Sequence, residues 1–329
     1  MREPAFWRRP GALTGWLLAP LAAIYGAVTA WRMARPGRAA GIPVICIGNL
    51  TVGGAGKTPA AMAVAQLLRD AGGRPFVLSR GYGGRLAGPV QVDPDAHGAA
   101  DVGDEPLLLA RIAPTVVARD RVVGAQAARS AGASVIVMDD GFQNPSLKKD
   151  LSLVVVDGHS GIGNGRVVPA GPLRAPLAAQ FARASALLVI GEGSGAAAVL
   201  AAAPGLAVFH GRLEPDAQAV AALRPHKVLA FAGIGDPDKF FATLTDAGID
   251  VRARQAFPDH HRYRRAEAAD LIARAARDGL VLVTTEKDLV RLKGEDDLRA
   301  LAGIARALPV RLAVTEAEAF RRFVLAGTV

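Results

Sequence analysis

Residues 48–58 read GNLTVGGAGKT, set between an apolar run, IPVICI, and a helix-forming segment that opens at Thr58. Few folds place so many glycines directly after a buried strand. A strand, a glycine-rich loop, Lys-Thr and a helix together form the P-loop context. Backbone N–H groups of Gly53, Gly54, Ala55 and Gly56 can wrap a phosphate, and the helix N-terminus adds its dipole. Lys57 would neutralise the β/γ-phosphates and Thr58 would ligate Mg²⁺. The strict pattern has glycine where this chain has Thr51, so Thr51 and Val52 belong to an atypical loop whose GGxGKT half is intact. One related ATPase class carries Lys directly before GGxGK, and Val52 counts against it. No NKxD run is present to read guanine, so ATP is the expected nucleotide.

The chain around this loop alternates strand and helix. Apolar strands are expected at 42–50, 74–81, 115–118, 133–140, 151–158 and 186–193. Helices are expected at 58–72, 105–113 and 121–132. This is the pattern of an α/β fold with a mainly parallel, P-loop NTPase-like sheet. Between 158 and 176 runs a long Gly/Pro-rich loop carrying Arg166 and Arg174, and loops of this length are usually functional. A second, smaller α/β unit begins near HKVLAFAGI (226–234) and continues through LVLVTTEKD to VRLAV (310–314). The expected division is an N-terminal helix over 1–40, a P-loop core over 41–220 and the smaller unit over 221–329.

Charge is placed unevenly. The 329 residues carry a formal charge of +9, and six arginines against Glu3 give residues 1–38 a net +5. Such a balance favours anionic partners. Cys46 is the single cysteine, which excludes a disulfide framework and cysteine-based zinc sites. No aromatic RNA-binding motif or finger spacing occurs, so nucleic acid is not an expected partner. From Gly11 to Trp31 there are 21 residues without a charge, flanked by Arg and by Trp7, Trp16 and Trp31. A cleaved signal, a membrane-spanning helix and a helix lying on the membrane surface all compete for this stretch. The stripe Leu13, Leu17, Leu21, Ile24, Val28 and Trp31, with alanines between, favours the last.

Several acids have two readings each. Asp139 and Asp140 end a buried strand, as Walker-B acids holding Mg²⁺ do, and as solvated strand ends also do. Asp104 precedes Glu105-Pro106 as a helix cap would, or presents a carboxylate able to accept a hydroxyl proton. Asp259 in FPDHHRY reads as the cap of the helix around 265–279, and its neighbours His260 and His261 are not expected to face one site. Thr285 and Asp288 in TTEKD resemble a capping box at the carboxyl end of a strand.

The segments GNLTVGGAGKTP, SRGYGG, GDEP, DDGFQ, GRVVPAGPLR, FAGIGDPDKF, FPDHH and TTEKD occur here in the order seen in the tetraacyldisaccharide 4'-kinase family, which the chain resembles over nearly its whole length. The resemblance implies two α/β/α domains joined by a hinge-like linker, with ATP in the cleft. It implies phosphoryl transfer to the 4'-hydroxyl of a disaccharide 1-phosphate lipid, at the cytoplasmic face of the bacterial inner membrane. It implies Asp104 as the base in a dyad with His260, and Thr58, Glu105, Asp139 and Asp140 near Mg²⁺. Arg80, Tyr82, Arg121 and Arg174 resemble lipid-head contacts. Expected partners are the lipid and an anionic membrane surface, with no obligate protein. The family has His after DDGFQ, where this chain has Asn144. A membrane-associated P-loop ATPase that moves a protein partner is the alternative, and it predicts ATP turnover without a lipid product.

Overall fold

The structure, a computed structural model, describes residues 4–9 and 11–328. Thirteen strands are formed among these residues: β1 (Val44–Asn49), β2 (Pro75–Ser79), β3 (Val90–Gln91), β4 (Thr115–Val117), β5 (Val135–Asp139), β6 (Leu151–Asp157), β7 (Ala186–Ile190), β8 (Ala207–Pro215), β9 (Lys227–Ala232), β10 (Asp250–Ala256), β11 (Val281–Thr285), β12 (Arg306–Leu308) and β13 (Val310–Val314). Nine of them make one sheet in the order β13-β8-β7-β6-β1-β5-β2-β4-β3, parallel except where β13 meets β8 and β3 meets β4 at its two edges. The other four make a parallel sheet in the order β10-β9-β11-β12.

β1 explains why the P-loop sits mid-sheet. All six of its residues are buried, as expected of a strand covered by helices on both faces. Val44 and Cys46 point into one core, with Met138 and Leu187. Ile45 and Ile47 point into the other, with Val64, Leu68 and Phe320. β5 and β6 flank β1, so the sheet order departs in both directions from its carboxyl end, where such sheets bind ligands.

The strand over 310–314, expected to close the second unit, instead pairs antiparallel with β8 at the edge of the first sheet. The helix Ala317–Ala326 follows it there and buries Phe320 and Val324 beside the helix Lys57–Asp70. The smaller sheet is therefore an insertion between two neighbouring strands of the larger one, with the Asp216 amide bonded to Pro309 O at 2.9 Å where the chain leaves and returns. A five-residue run with strand character, VRLAV, specifies a strand without specifying its sheet.

The uncharged N-terminal run is broken into two helices, Leu13–Leu17 and Ala19–Ala34, with Pro20 in the first turn of the second, a position where proline is tolerated. Among the described residues no helix is long and apolar enough to cross a membrane. Small residues face inward: Gly15 lies against Ala170, and Gly26 against Pro176 and Val167. The large ones face out, with Leu13 73%, Leu17 72% and Ile24 66% exposed. Arg166 stacks over the Trp16 ring at 4.0 Å and Arg35 over Trp31 at 3.9 Å.

Candidate active site

The glycine-rich loop leaves β1 and closes on the helix Lys57–Asp70. Gly56 caps this helix in the left-handed region, at φ +88°, and a Cβ there would stand 2.8 Å from Ile190 Cδ1, so only glycine fits the turn. The Lys57 ammonium is buried and turned into its own loop. It donates to Asn49 Oδ1 at 3.1 Å and to Gly53 O at 3.4 Å, and lies 3.8 Å from Asp140. Burial lowers its pKa, against the pull of Asp140. The Arg166–Arg174 part of the long loop braces the other side. Val52 N donates to Pro172 O at 2.8 Å, and Arg174 donates to Thr51 O at 2.9 Å and to Asp140 at 2.7 Å.

Asp104 and Glu105 open the helix Asp104–Leu109 beside this loop. Gly103, not Asp104, is the cap, because the φ of +90° that the chain needs there suits glycine. Asp104 is thereby freed from capping, and its carboxylate is 96% buried against the second unit. Oδ1 accepts only from the Glu105 amide at 2.9 Å among the described residues. Oδ2 accepts Arg291 Nε at 2.8 Å and Arg291 Nη2, and lies 3.3 Å from His260 Nδ1. Glu105 Oε1 accepts the Thr58 hydroxyl at 3.3 Å and Lys287 Nζ at 2.6 Å.

The second unit supplies these cations from the helix Glu286–Lys293 that follows β11. Lys287 and Arg291 are four residues apart and share a face. Thr285 caps the helix, accepting the Asp288 amide at 3.1 Å, and its hydroxyl donates to Asp288 Oδ2 at 2.6 Å, a side-chain cap in place of the reciprocal backbone bond of a capping box. Asp288 also works in the core of the unit: it accepts Tyr263 Oη at 2.9 Å, Gly233 N at 3.1 Å and Arg291 Nη1 at 2.8 Å. Val290 packs against Leu107 and Leu108 and seals the contact between the two helices.

Burial would raise the Asp104 carboxyl, but the His260 hydrogen bond and the Arg291 guanidinium hold it below the usual carboxylate range. His260 is raised in return, chiefly by that hydrogen bond. Glu105 is lowered against its burial by Lys287. Asp139 goes the other way: burial, then Glu105 and Asp140, push it up to about 7. Its Oδ2 receives Ser79 Oγ at 3.4 Å, while buried Oδ1 has no hydrogen-bond partner among the described residues.

Most of the expected residues gather here. Tyr82 stands with its ring 5.2 Å from that of His260, Arg174 ties Asp140 to the loop, and Arg80 is exposed one residue past β2. Arg121 is buried, donating to Ala118 O with Nε unpartnered among the described residues, and feels the charge of Asp139. His260 and His261 do diverge: His261 bonds Glu267 at 2.8 Å. Asp259 does not cap the following helix. Arg264 occupies that position and Glu267 closes the capping box. Asn144 Oδ1 accepts Ser146 N at 2.8 Å and ends a local turn. The sequence reading missed Asn49, Lys287 and Arg291. The spacing of Lys287 and Arg291 on one helix face was the available signal; their acid partners lie 182 and 187 residues away.

The donor set suits Mg²⁺. Thr58 and Glu105 adjoin, and Asp139 Oδ1 is a buried oxygen without a protein donor, as an acceptor for a metal-bound water would be. Among the described residues no group of three or more His, Cys, Asp or Glu is placed to cage a metal alone. Mg²⁺ is commonly held by a hydroxyl, a carboxylate or two and substrate phosphates instead.

A family model described as tetraacyldisaccharide-1-P 4'-kinase matches residues 14–328. Relatives named tetraacyldisaccharide 4'-kinase include one from Rhodopseudomonas palustris (strain BisA53), 59% identical over 99% of this chain and 96% of its own. Another, from Methylobacterium sp. (strain 4-46), is 60% identical over 97% of this chain and 95% of its own. Among solved structures, LpxK from Aquifex aeolicus in complex with ATP is similar with a TM-score of 0.75 and 26% identity, over 96% of this chain and all of that one.

Proposed function

The chain belongs to the tetraacyldisaccharide 4'-kinase family and phosphorylates the 4'-position of a lipid A precursor with ATP; we propose that Asp104, His260 and the P-loop carry that reaction, on a membrane surface. One observation carries the site assignment. Asp104 and Glu105 are consecutive, and they divide the chemistry between them: Glu105 faces the P-loop hydroxyl of Thr58, and Asp104 faces His260 and the cavity beside Tyr82.

Phosphoryl transfer asks a protein for position and charge neutralisation. The loop from Gly53 to Gly56 cradles the phosphates of ATP and Lys57 neutralises them. Thr58 and Glu105, with Asp139 and Asp140, would hold Mg²⁺, which would supply further neutralisation of phosphate charge. The 4'-hydroxyl approaches from the Tyr82 side, and exposed Arg80 favours an anionic lipid head; Arg121 is buried and Arg174 is tied to the loop and Asp140, so these two act on charge from within the protein. Asp104 is a weak base while Arg291 and His260 load its Oδ2. It takes the hydroxyl proton as the acceptor oxygen bonds the γ-phosphorus and the β–γ bridging oxygen leaves with ADP, and His260 can share that proton. The two sheet units act as two domains whose approach assembles this dyad and excludes water.

The N-terminal helices lie flat on the membrane. Their outward Leu, Ile, Val and Trp side chains and flanking arginines suit an anionic surface, each buried large side chain contributing on the order of 1.5–3 kcal/mol. ATP places that surface on the cytoplasmic side of the inner membrane. The test uses purified protein, labelled ATP and the disaccharide 1-phosphate lipid. A 4'-phosphorylated product is expected, absent with Lys57→Ala. An active Lys57→Ala protein overturns the P-loop assignment, and ATP turnover without lipid product favours an ATPase.

A further inference from the structure

We infer that Lys287 is a catalytic cation delivered by the second unit, which leaves Glu105 to neutralise the transferring phosphoryl group. The inference rests on the phosphoryl-transfer reading of this site. Lys287 Nζ lies 2.6 Å from Glu105 Oε1, the same oxygen that accepts the Thr58 hydroxyl. A Mg²⁺ at Thr58 would compete with the Lys287 ammonium for that oxygen, since both are drawn to the same lone pairs. Where the metal takes Glu105, the ammonium is free to turn to another anion.

The displaced ammonium cannot travel far. Arg291, one helical turn on, donates to Asp104, Asp288 and Gly233 O, and this fixes the helix that carries both residues. Lys287 thus stays between Thr58, on the donor side, and Asp104, on the acceptor side. The phosphoryl group must cross that interval. Its three equatorial oxygens carry the charge of a loose transition state, and a cation on the second unit's side adds to what Lys57 supplies from the P-loop. In the step itself the acceptor oxygen bonds the γ-phosphorus and the β–γ bridging oxygen leaves with ADP. The hydroxyl proton passes to Asp104, and Lys287 neither gains nor loses a proton.

Removing one such preorganised charge typically lowers kcat about 10²–10³-fold. Lys287→Ala is expected to lose that much with little rise in KM for ATP, and Lys287→Arg to recover part of it. The readout independent of turnover is equilibrium binding by calorimetry of Mg²⁺·ADP, with and without aluminium fluoride as a phosphoryl mimic. In the unaltered protein the fluoride tightens binding. Lys287→Ala should bind Mg²⁺·ADP at least as well, because Glu105 is released, yet gain little from fluoride. An undiminished fluoride gain, kcat within about threefold of the unaltered protein, or loss of Mg²⁺·ADP binding itself would each overturn the role. Lys57→Ala run alongside separates the two levels: if it stays active, the reading of the site has failed; if it is dead while Lys287→Ala is unimpaired, only this inference has.

Discussion

Two residues show how far charge placement decides behaviour here. Asp104→Asn removes a base but keeps the shape, so kcat should fall about 10²–10⁴-fold with ATP affinity nearly unchanged. Thermal stability alone does not report on catalysis at this position, because Asp104 is also the buried partner of Arg291. Losing one member of such a pair is costly, on the order of 3–5 kcal/mol. Arg291 retains Asp288 and Gly233 O, so the variant should lie below that range and remain folded. An Asn variant with unaltered kcat would remove Asp104 from the chemistry. Asp139 gives a prediction in pH. Its folded pKa of about 7 lies above the unfolded value of about 3.9. Its contribution to stability is therefore complete below about pH 4 and is lost as the pH rises through 7. In protein free of Mg²⁺ and nucleotide, Asp139→Asn should flatten the fall in unfolding free energy across that window. Urea denaturation at pH 5 and pH 7.5 reads it, and an unchanged difference between the two would refute the assignment.

At the scale of elements, the N-terminal helices separate docking from membrane contact by residue size. Ile24→Glu and Leu17→Glu alter side chains exposed to solvent, so they should weaken partition onto anionic vesicles while leaving the melting temperature within a few degrees. Gly26→Leu acts on the other face. A Cβ there already meets Pro176 at 3.4 Å, so a leucine must push the helix from the loop and lower the melting temperature. Equal vesicle binding by Ile24→Glu and the unaltered protein would refute a surface-lying helix. These helices also mark what the sequence made legible. The apolar stripe was readable because helical spacing is local. The break at Leu18 was signalled by Pro20, whereas an uncharged run of 21 residues suggested continuity. The P-loop, its helix and the buried strands were readable for the same local reason. Asp104 was ambiguous because Asp-Glu-Pro suits a cap equally well, and only Gly103 at positive φ resolves it. Lys287 and Arg291 were missed because a lysine and an arginine on a helix face read as solvated until the opposing acids are known.

The whole molecule is a sheet with a second sheet inserted through one of its hairpins, and that topology is testable. β8 and β13 are antiparallel neighbours, with Pro215 paired to Val310 and the Asp216 amide on Pro309 O. The insertion thus leaves and returns at adjacent points, which is where a short hairpin turn can replace it. The larger unit has its own cores on both faces of its sheet. What holds the insertion against it is largely charge: Lys287 on Glu105, Arg291 on Asp104, and Lys239 on Asp157 at 3.0 Å, with Val290 as the apolar contact. Exposed pairs such as Lys239–Asp157 contribute about 0–1 kcal/mol, so most of the attachment resides in the buried Asp104–Arg291 pair and the Val290 contact. Replacing residues 217–308 by an Asn-Gly turn, with Leu107 and Leu108 made polar to suit their new exposure, should give a folded protein. It should unfold cooperatively, bind anionic vesicles and retain weak nucleotide affinity through Lys57. It should transfer no phosphoryl group, because His260, Lys287 and Arg291 have gone with the insertion. Circular dichroism, vesicle sedimentation and the labelled-ATP assay read these outcomes. A truncated chain that cannot fold would mean that the two sheets are one cooperative unit, and that their approach cannot be the motion that assembles the dyad.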